Sequence, residues 1–182
     1  MEKFIAFGII TIPLVIVSWR TLFNVKSHGF YRFFAWECIL WLAINNSKFW
    51  FDNPFSLKQI ISWIFLLNSL YLLILGLLQL IKFGKPQNSR DEKALFNMEK
   101  TTKLVEEGIF KYIRHPIYGS LLFLTWGIIF KNTNFELLLI SVASTVLLYI
   151  TAKFDEKECI AYFGESYKEY MTRTKMFVPF IL

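Results

Sequence analysis

Cysteine and histidine are scarce in this sequence, two of each in 182 residues. Cys38 lies inside an apolar segment and Cys159 inside a charged one, with no CxxC pair and no His/Cys cluster at metal-ligand spacing. That argues against a disulfide framework or a zinc site. Both cysteines are expected as reduced thiols, and no metal is expected. Internal repeats, low-complexity tracts and a nucleophilic triad are also missing, so neither a solenoid nor covalent catalysis of the triad type is indicated. Charge is absent from one long stretch, Ile60 to Ile81. At about 1.5 Å per residue that stretch reaches about 33 Å, enough for a hydrocarbon core of about 30 Å.

What is present is grease. The chain is 55% hydrophobic and 19% aromatic, beyond what a soluble domain of this size buries, so its solvent must be partly lipid. The net charge of +6 does not point to nucleic acid, because the basic residues flank apolar runs instead of forming a stripe. An N-terminal run from Phe4 to Trp19 resembles a signal peptide in length. No small-x-small cleavage site follows it, however, and Arg20, Lys26 and Arg32 come after the run where a signal would have them before. It reads as a retained first span.

The remaining apolar runs complete an all-α, polytopic integral membrane protein of about five transmembrane helices with a C-terminal interfacial helix. Phe30 to Phe51, marked by Trp36, Trp41 and Trp50, gives the second span and Ile60 to Ile81 the third. Lys85 to Arg114, including Arg90-Asp-Glu-Lys, reads as water-exposed. Ile117 to Phe130 and Leu137 to Ala152, separated by Lys131-Asn-Thr-Asn, form an antiparallel hairpin of spans four and five. From Lys153 the tail alternates charge with apolar residues, broken at Gly164 and ended before Pro179, as one or two helices lying at the membrane surface do. Residues 1–182 form one domain, with three spans in 1–83 and the functional half in 84–182. Five spans place all but Lys3, Lys48, Lys58 and Lys131 of the 20 basic residues on one side. The positive-inside rule then sets the N-terminus outside and the C-terminus in the cytosol.

Two clusters carry candidate chemistry. Arg114-His115-Pro116-Ile117-Tyr118 stands where exposed chain enters the fourth span. Proline suits a helix's first turn, whose unpaired amides favour anionic groups. The plainer alternative is that Pro116 only starts a helix and Arg114 and His115 only anchor the interface. Asp155, Glu156 and Glu158 follow the fifth span against the prevailing positive bias, and the short hairpin folds them back toward Arg114 and His115. Their plainer alternative is a solvated face paired with Lys153 and Lys157. Glu37, an acid in the second span, is a further candidate wall residue that has Arg32 or headgroup water as alternative partners.

Leu104-Val105, Gly108, Arg114-His115-Pro116-x-Tyr118, Asp155-Glu156, Phe163-Gly164-x-x-Tyr167-x-x-Tyr170 and Val178-Pro179 resemble the isoprenylcysteine carboxyl methyltransferase family, part of a wider group that includes membrane phospholipid methyltransferases. The resemblance covers about the C-terminal half, from near Leu95. It implies S-adenosylmethionine bound on the cytosolic side, with S-adenosylhomocysteine as product. It implies catalytic roles for Arg114 and Glu156, and a cofactor site of Lys103, Leu104, Val105, Gly108, Phe110, His115, Pro116, Ile117, Tyr118 and Glu156, with Glu156 holding the ammonium group. The implied acceptor is lipophilic, a prenylated or other lipid substrate met among membrane lipids. Two departures stand out: Thr151 or Ala152 replaces the arginine that faces prenylcysteine substrates, and the small residue expected two positions after the motif tyrosine is Ser120, with Gly119 adjacent. An NADPH-dependent membrane sterol or steroid reductase and a non-catalytic lipid-binding scaffold remain as alternatives.

Overall fold

The computed structural model describes residues 1–87, 95–97 and 99–179. The Arg90-Asp-Glu-Lys run, with the basic residues Arg90 and Lys93, lies outside the described residues. Six α-helices form among the described residues: α1 (Glu2–Ser18), α2 (His28–Asn46), α3 (Leu57–Gly84), α4 (Pro116–Ile129), α5 (Phe135–Phe163) and α6 (Glu165–Arg173). Among the described residues there is no sheet, only the isolated bridges Pro86–Thr101 and Ile113–Lys175. Local chemistry sets the helix starts. The side chains of Ser27, Ser56 and Asn134 accept amide hydrogen bonds from Gly29, Gln59 and Leu137, and Pro116 occupies the first turn of α4.

Helices α1 to α5 alternate in direction, as their contacts show. At the end distant from Arg114, Lys3 Nζ reaches Asn45 Oδ1 at 3.0 Å and Asn46 Nδ2 donates to the Ile128 carbonyl at 2.8 Å. Ser62 Oγ donates to the Gly127 carbonyl at 2.6 Å. At the opposite end, Gly76 of α3 packs against Pro116 and Ile117, and His28 of α2 meets Glu158 of α5. At the C-terminal end of α4, where carbonyls run short of amide partners one turn on, Ser62 and Asn46 thus reach the Gly127 and Ile128 carbonyls, the latter also accepting from the Lys131 amide at 3.1 Å. Small hydroxyl residues fill the helix contacts, with Ser62, Thr125, Ser141 and Ser144 fully buried. Ile64, Leu67, Ile74, Leu78, Leu139, Val142 and Val146 face outward. Polar groups inside and apolar groups outside is the arrangement suited to lipid. Helices α3 and α5 are long and apolar enough to cross a membrane, and α4 is a shorter apolar helix, which is consistent with a membrane protein.

Two expectations are corrected. The fifth apolar helix does not end at Ala152 to give way to surface helices. Instead α5 continues unbroken to Phe163, because no glycine or proline interrupts Lys153 to Phe163. It stops only at Gly164, whose φ of 65° lies in the left-handed region. Residues 85–114 are not wholly exposed either: Val105, Phe110 and Ile113 are buried, and the chain is stitched back to α3 where the Thr102 and Lys103 amides donate to the Gly84 carbonyl.

Replacing Asn46 by alanine is expected to cost about 1 kcal/mol, the scale of a hydrogen bond between helices in a membrane protein, and to lower the thermal unfolding midpoint in detergent. Ser47→Ala, at an exposed position one residue on, should leave that midpoint unchanged.

Candidate functional site

Three chain segments converge at the end where α3 and α5 finish. The turn before α4 supplies Arg114 and His115, α5 supplies Asp155 and Glu156 beyond its apolar run, and α6 with the chain after it closes the group. Arg114 Nε and Nη2 both bind Glu156 Oε1, at 2.9 and 2.8 Å. Arg114 Nη1 donates to the carbonyls of Thr174 and, at 3.3 Å, Met171. Lys153 Nζ takes the other carboxylate oxygen of Glu156 at 2.9 Å. His115 Nδ1 lies 3.4 Å from Asp155 Oδ2. The segment after α6 runs beside the turn, with the Arg114 and His115 amides donating to the Lys175 and Met176 carbonyls at 2.8 and 3.1 Å. Tyr170 Oη donates to the Phe110 carbonyl at 2.6 Å.

This framework encloses a cavity of about 700 Å³, open mouth included. Of the sequence-predicted residues, Leu104, Val105, Phe110, Arg114, His115, Pro116, Ile117 and Tyr118 line it. Three do not. Lys103 is exposed. Gly108, at φ 61°, sits so close to Gln79 that a Cβ would lie 2.2 Å from Oε1, while the next amide, of Ile109, donates to that same oxygen. Glu156, only 3% exposed, stands behind Arg114, and its neighbour Asp155 lines the wall in its place.

Leu80, Leu95, Glu99, Thr101, Cys159, Phe163, Tyr167 and Tyr170 also line the wall without having been site candidates on sequence grounds. Phe163, Tyr167 and Tyr170 belonged to a recognised motif, whereas Glu99 carried no signal. Glu37 is away from the cavity and accepts from Thr11 Oγ1 at 2.7 Å. Thr151 and Ala152 are fully buried.

The cavity suits a ligand carrying both charge and flat apolar surface. Tyr118, Phe163, Tyr167 and Tyr170 offer rings, Asp155 and Glu99 offer carboxylates, and the buried Nε2 of His115 has no hydrogen-bond partner. Its nearest acid, Glu156 Oε1, is 3.7 Å away, too long for a hydrogen bond. Burial pushes the imidazole of His115 toward neutrality, but the negative charges of Asp155 and Glu156 beside it outweigh this and raise its pKa. Burial pushes the phenols of Tyr167 and Tyr170 upward, so both stay neutral at physiological pH.

Residues 92–168 match the phospholipid methyltransferase family. Methanethiol S-methyltransferase 2 of Bradyrhizobium diazoefficiens is 31% identical over 71 residues, which is 39% of this chain and 27% of that protein. Methanethiol S-methyltransferase 1 of the same organism is 27% identical over 71 residues, 39% of this chain and 24% of that protein. The methanethiol S-methyltransferase of Crocosphaera subtropica is 27% identical over 82 residues, 43% of this chain and 30% of that protein. The chain thus matches less than a third of the length of these relatives. No solved structure matches. The resemblance to a membrane methyltransferase family is borne out: the matched family and the matched relatives are methyltransferases by name.

Because the pKa of His115 is higher folded than unfolded, its protonated form stabilises the fold fully below the ordinary value of 6.5, and that contribution is lost as pH rises through the raised value. Thermal unfolding scanned upward from pH 6.5 should show this decline, and His115→Gln should flatten it. Glu156→Ala, which strands the buried Arg114 guanidinium, should destabilise the protein by about 3 kcal/mol or more in the same assay.

Proposed function

We propose that this chain is an S-adenosylmethionine-dependent integral membrane methyltransferase acting on a lipophilic acceptor at the cytosolic membrane interface. The observation that carries this reading is that the Arg114–Tyr118 turn and the acid past the apolar run of α5 face one cavity, inside the region that matches the methyltransferase family. Five spans with the N-terminus outside and the site in the cytosol accord with the alternating helix directions and with the basic residues gathered at the cavity end.

S-adenosylmethionine, when bound, supplies an electrophilic methyl group on a sulfonium. The chain's task is then to bind, align and exclude water, since in-line transfer at carbon requires no covalent enzyme intermediate. Asp155, on the wall, is the carboxylate available to an ammonium group. Arg114 and the first-turn amides of α4 favour a carboxylate. Glu156 and Lys153 act one step back, by fixing Arg114. Stacked against His115 with ring centroids 5.5 Å apart, Tyr118 adds a flat surface. A polar donor from the cytosol and an acceptor from the bilayer meet naturally where α3 and α4 carry Leu80 and Ile117 to the cavity.

The acceptor decides whether a base is needed. A carboxylate needs none, but without an arginine at Thr151 or Ala152 a prenylcysteine carboxylate loses its expected partner. The names of the relatives favour a second acceptor class, a small thiol. A thiol must shed a proton, and His115 beside Asp155 takes it only in its neutral form, so thiol transfer would require a pH above the raised imidazole pKa.

Calorimetry on the purified protein should show S-adenosylmethionine and S-adenosylhomocysteine binding with micromolar-range affinity, weakened about tenfold in His115→Ala and Asp155→Asn, the loss typical of one charged hydrogen bond. Binding of NADPH in place of S-adenosylmethionine would favour a reductase, and no binding of either would favour a scaffold. Transfer of a labelled methyl group into a lipid extract or onto methanethiol separates the two acceptor classes.

A further inference from the structure

One acid on the cavity wall is held from outside the methyltransferase match. Glu99 lines the cavity with its side chain 14% exposed, and Arg32 of α2 binds it. Arg32 Nη1 reaches Glu99 Oε1 at 3.1 Å and Oε2 at 3.0 Å. Its guanidinium carbon lies 4.3 Å from the centroid of the Phe96 ring and 5.2 Å from that of Trp36, two rings within 12° of parallel. Glu99 Oε2 also accepts from the Phe96 amide at 3.0 Å. Arg32, 5% exposed, therefore gathers the acid and the aromatic beside it onto α2.

A buried arginine in an apolar helix is costly unless its charge is met, and here it is met by a group that faces a ligand cavity. Resting on the methyltransferase reading, we infer that Arg32 is a positioning residue for the cofactor pocket, holding Glu99 on the wall as an acceptor for an N–H or O–H of the cofactor. Helix α2 has other moorings. The backbone amide and Nδ1 of His28 both bind Glu158, at 3.1 and 2.7 Å, and Tyr31 stacks on Phe154 with centroids 4.9 Å apart. At its far end Asn46 binds Ile128. Loss of the Arg32 contact therefore releases the Glu99 turn and leaves the helix seated.

The test is calorimetric titration of S-adenosylhomocysteine into wild type, Arg32→Gln, Arg32→Lys, Glu99→Gln and the double Arg32→Gln/Glu99→Gln protein, with thermal unfolding of each. The expected result is about tenfold weaker binding in Arg32→Gln and in Glu99→Gln, no further loss in the double variant, and substantial recovery in Arg32→Lys. Methyl transfer at saturating donor should keep its kcat in the variants while KM for the donor rises, a split that a merely structural role does not produce. Wild-type affinity in a folded Arg32→Gln protein overturns the inference and leaves the methyltransferase reading standing. If Arg32→Gln does not fold, wild-type affinity in Glu99→Gln overturns it. Failure of the wild-type protein to bind S-adenosylhomocysteine overturns both.

Discussion

The buried pairing of Arg114 with Glu156 holds the rest of the site in place. Two ions removed from water stay together only if their remaining hydrogen-bonding capacity is met, and here the surplus is met by distant parts of the chain. Glu156 takes a second cation from Lys153. Arg114 spends its remaining donor on carbonyls at the end of α6. The entry to α4, the end of α5 and the C-terminal segment are thereby bound at one point. The backbone pairing of Arg114 and His115 with Lys175 and Met176 follows, and with it the cavity roof formed by Tyr167 and Tyr170.

The N-terminal helices do more than add apolar surface. Their polar side chains are directed at the functional half, where Asn46 and Ser62 complete the hydrogen bonding of α4 at one end. At the other, His28 and Arg32 meet acids of α5 and of the segment before α4. His28, Asp155 and Glu158 place ligand-type atoms within 4.8 Å of one another, so the wall carboxylate Asp155 sits between the cavity and a fully buried histidine of α2. Polar groups that are unfavourable in hydrocarbon are in this way concentrated where helices touch.

The sequence made the meeting of Arg114 and His115 with the acids legible, because a hairpin joined by a four-residue turn leaves its two outer ends little choice but to meet. It did not reveal which acid faces the ligand. Asp155 and Glu156 are adjacent, about 100° apart around a helix, and only the rotation of α5 against α4 assigns one to the wall and the other to Arg114. The continuation of α5 past Ala152 was hidden by its charges, which suit a surface helix equally well. Glu99 was unreadable because its place depends on Arg32, 67 residues away, a contact that no local pattern encodes.

Helix α4 has only 14 residues, and at its start Pro116 meets α3 at Gly76, well before that helix ends at Gly84. The turn that carries His115 is therefore recessed by about 12 Å, roughly two turns of helix, below the rim that α3 sets. No residue of α4 is exposed, so a molecule reaching the turn descends along the flanks of neighbouring helices, and depth alone screens what arrives there with no moving gate required.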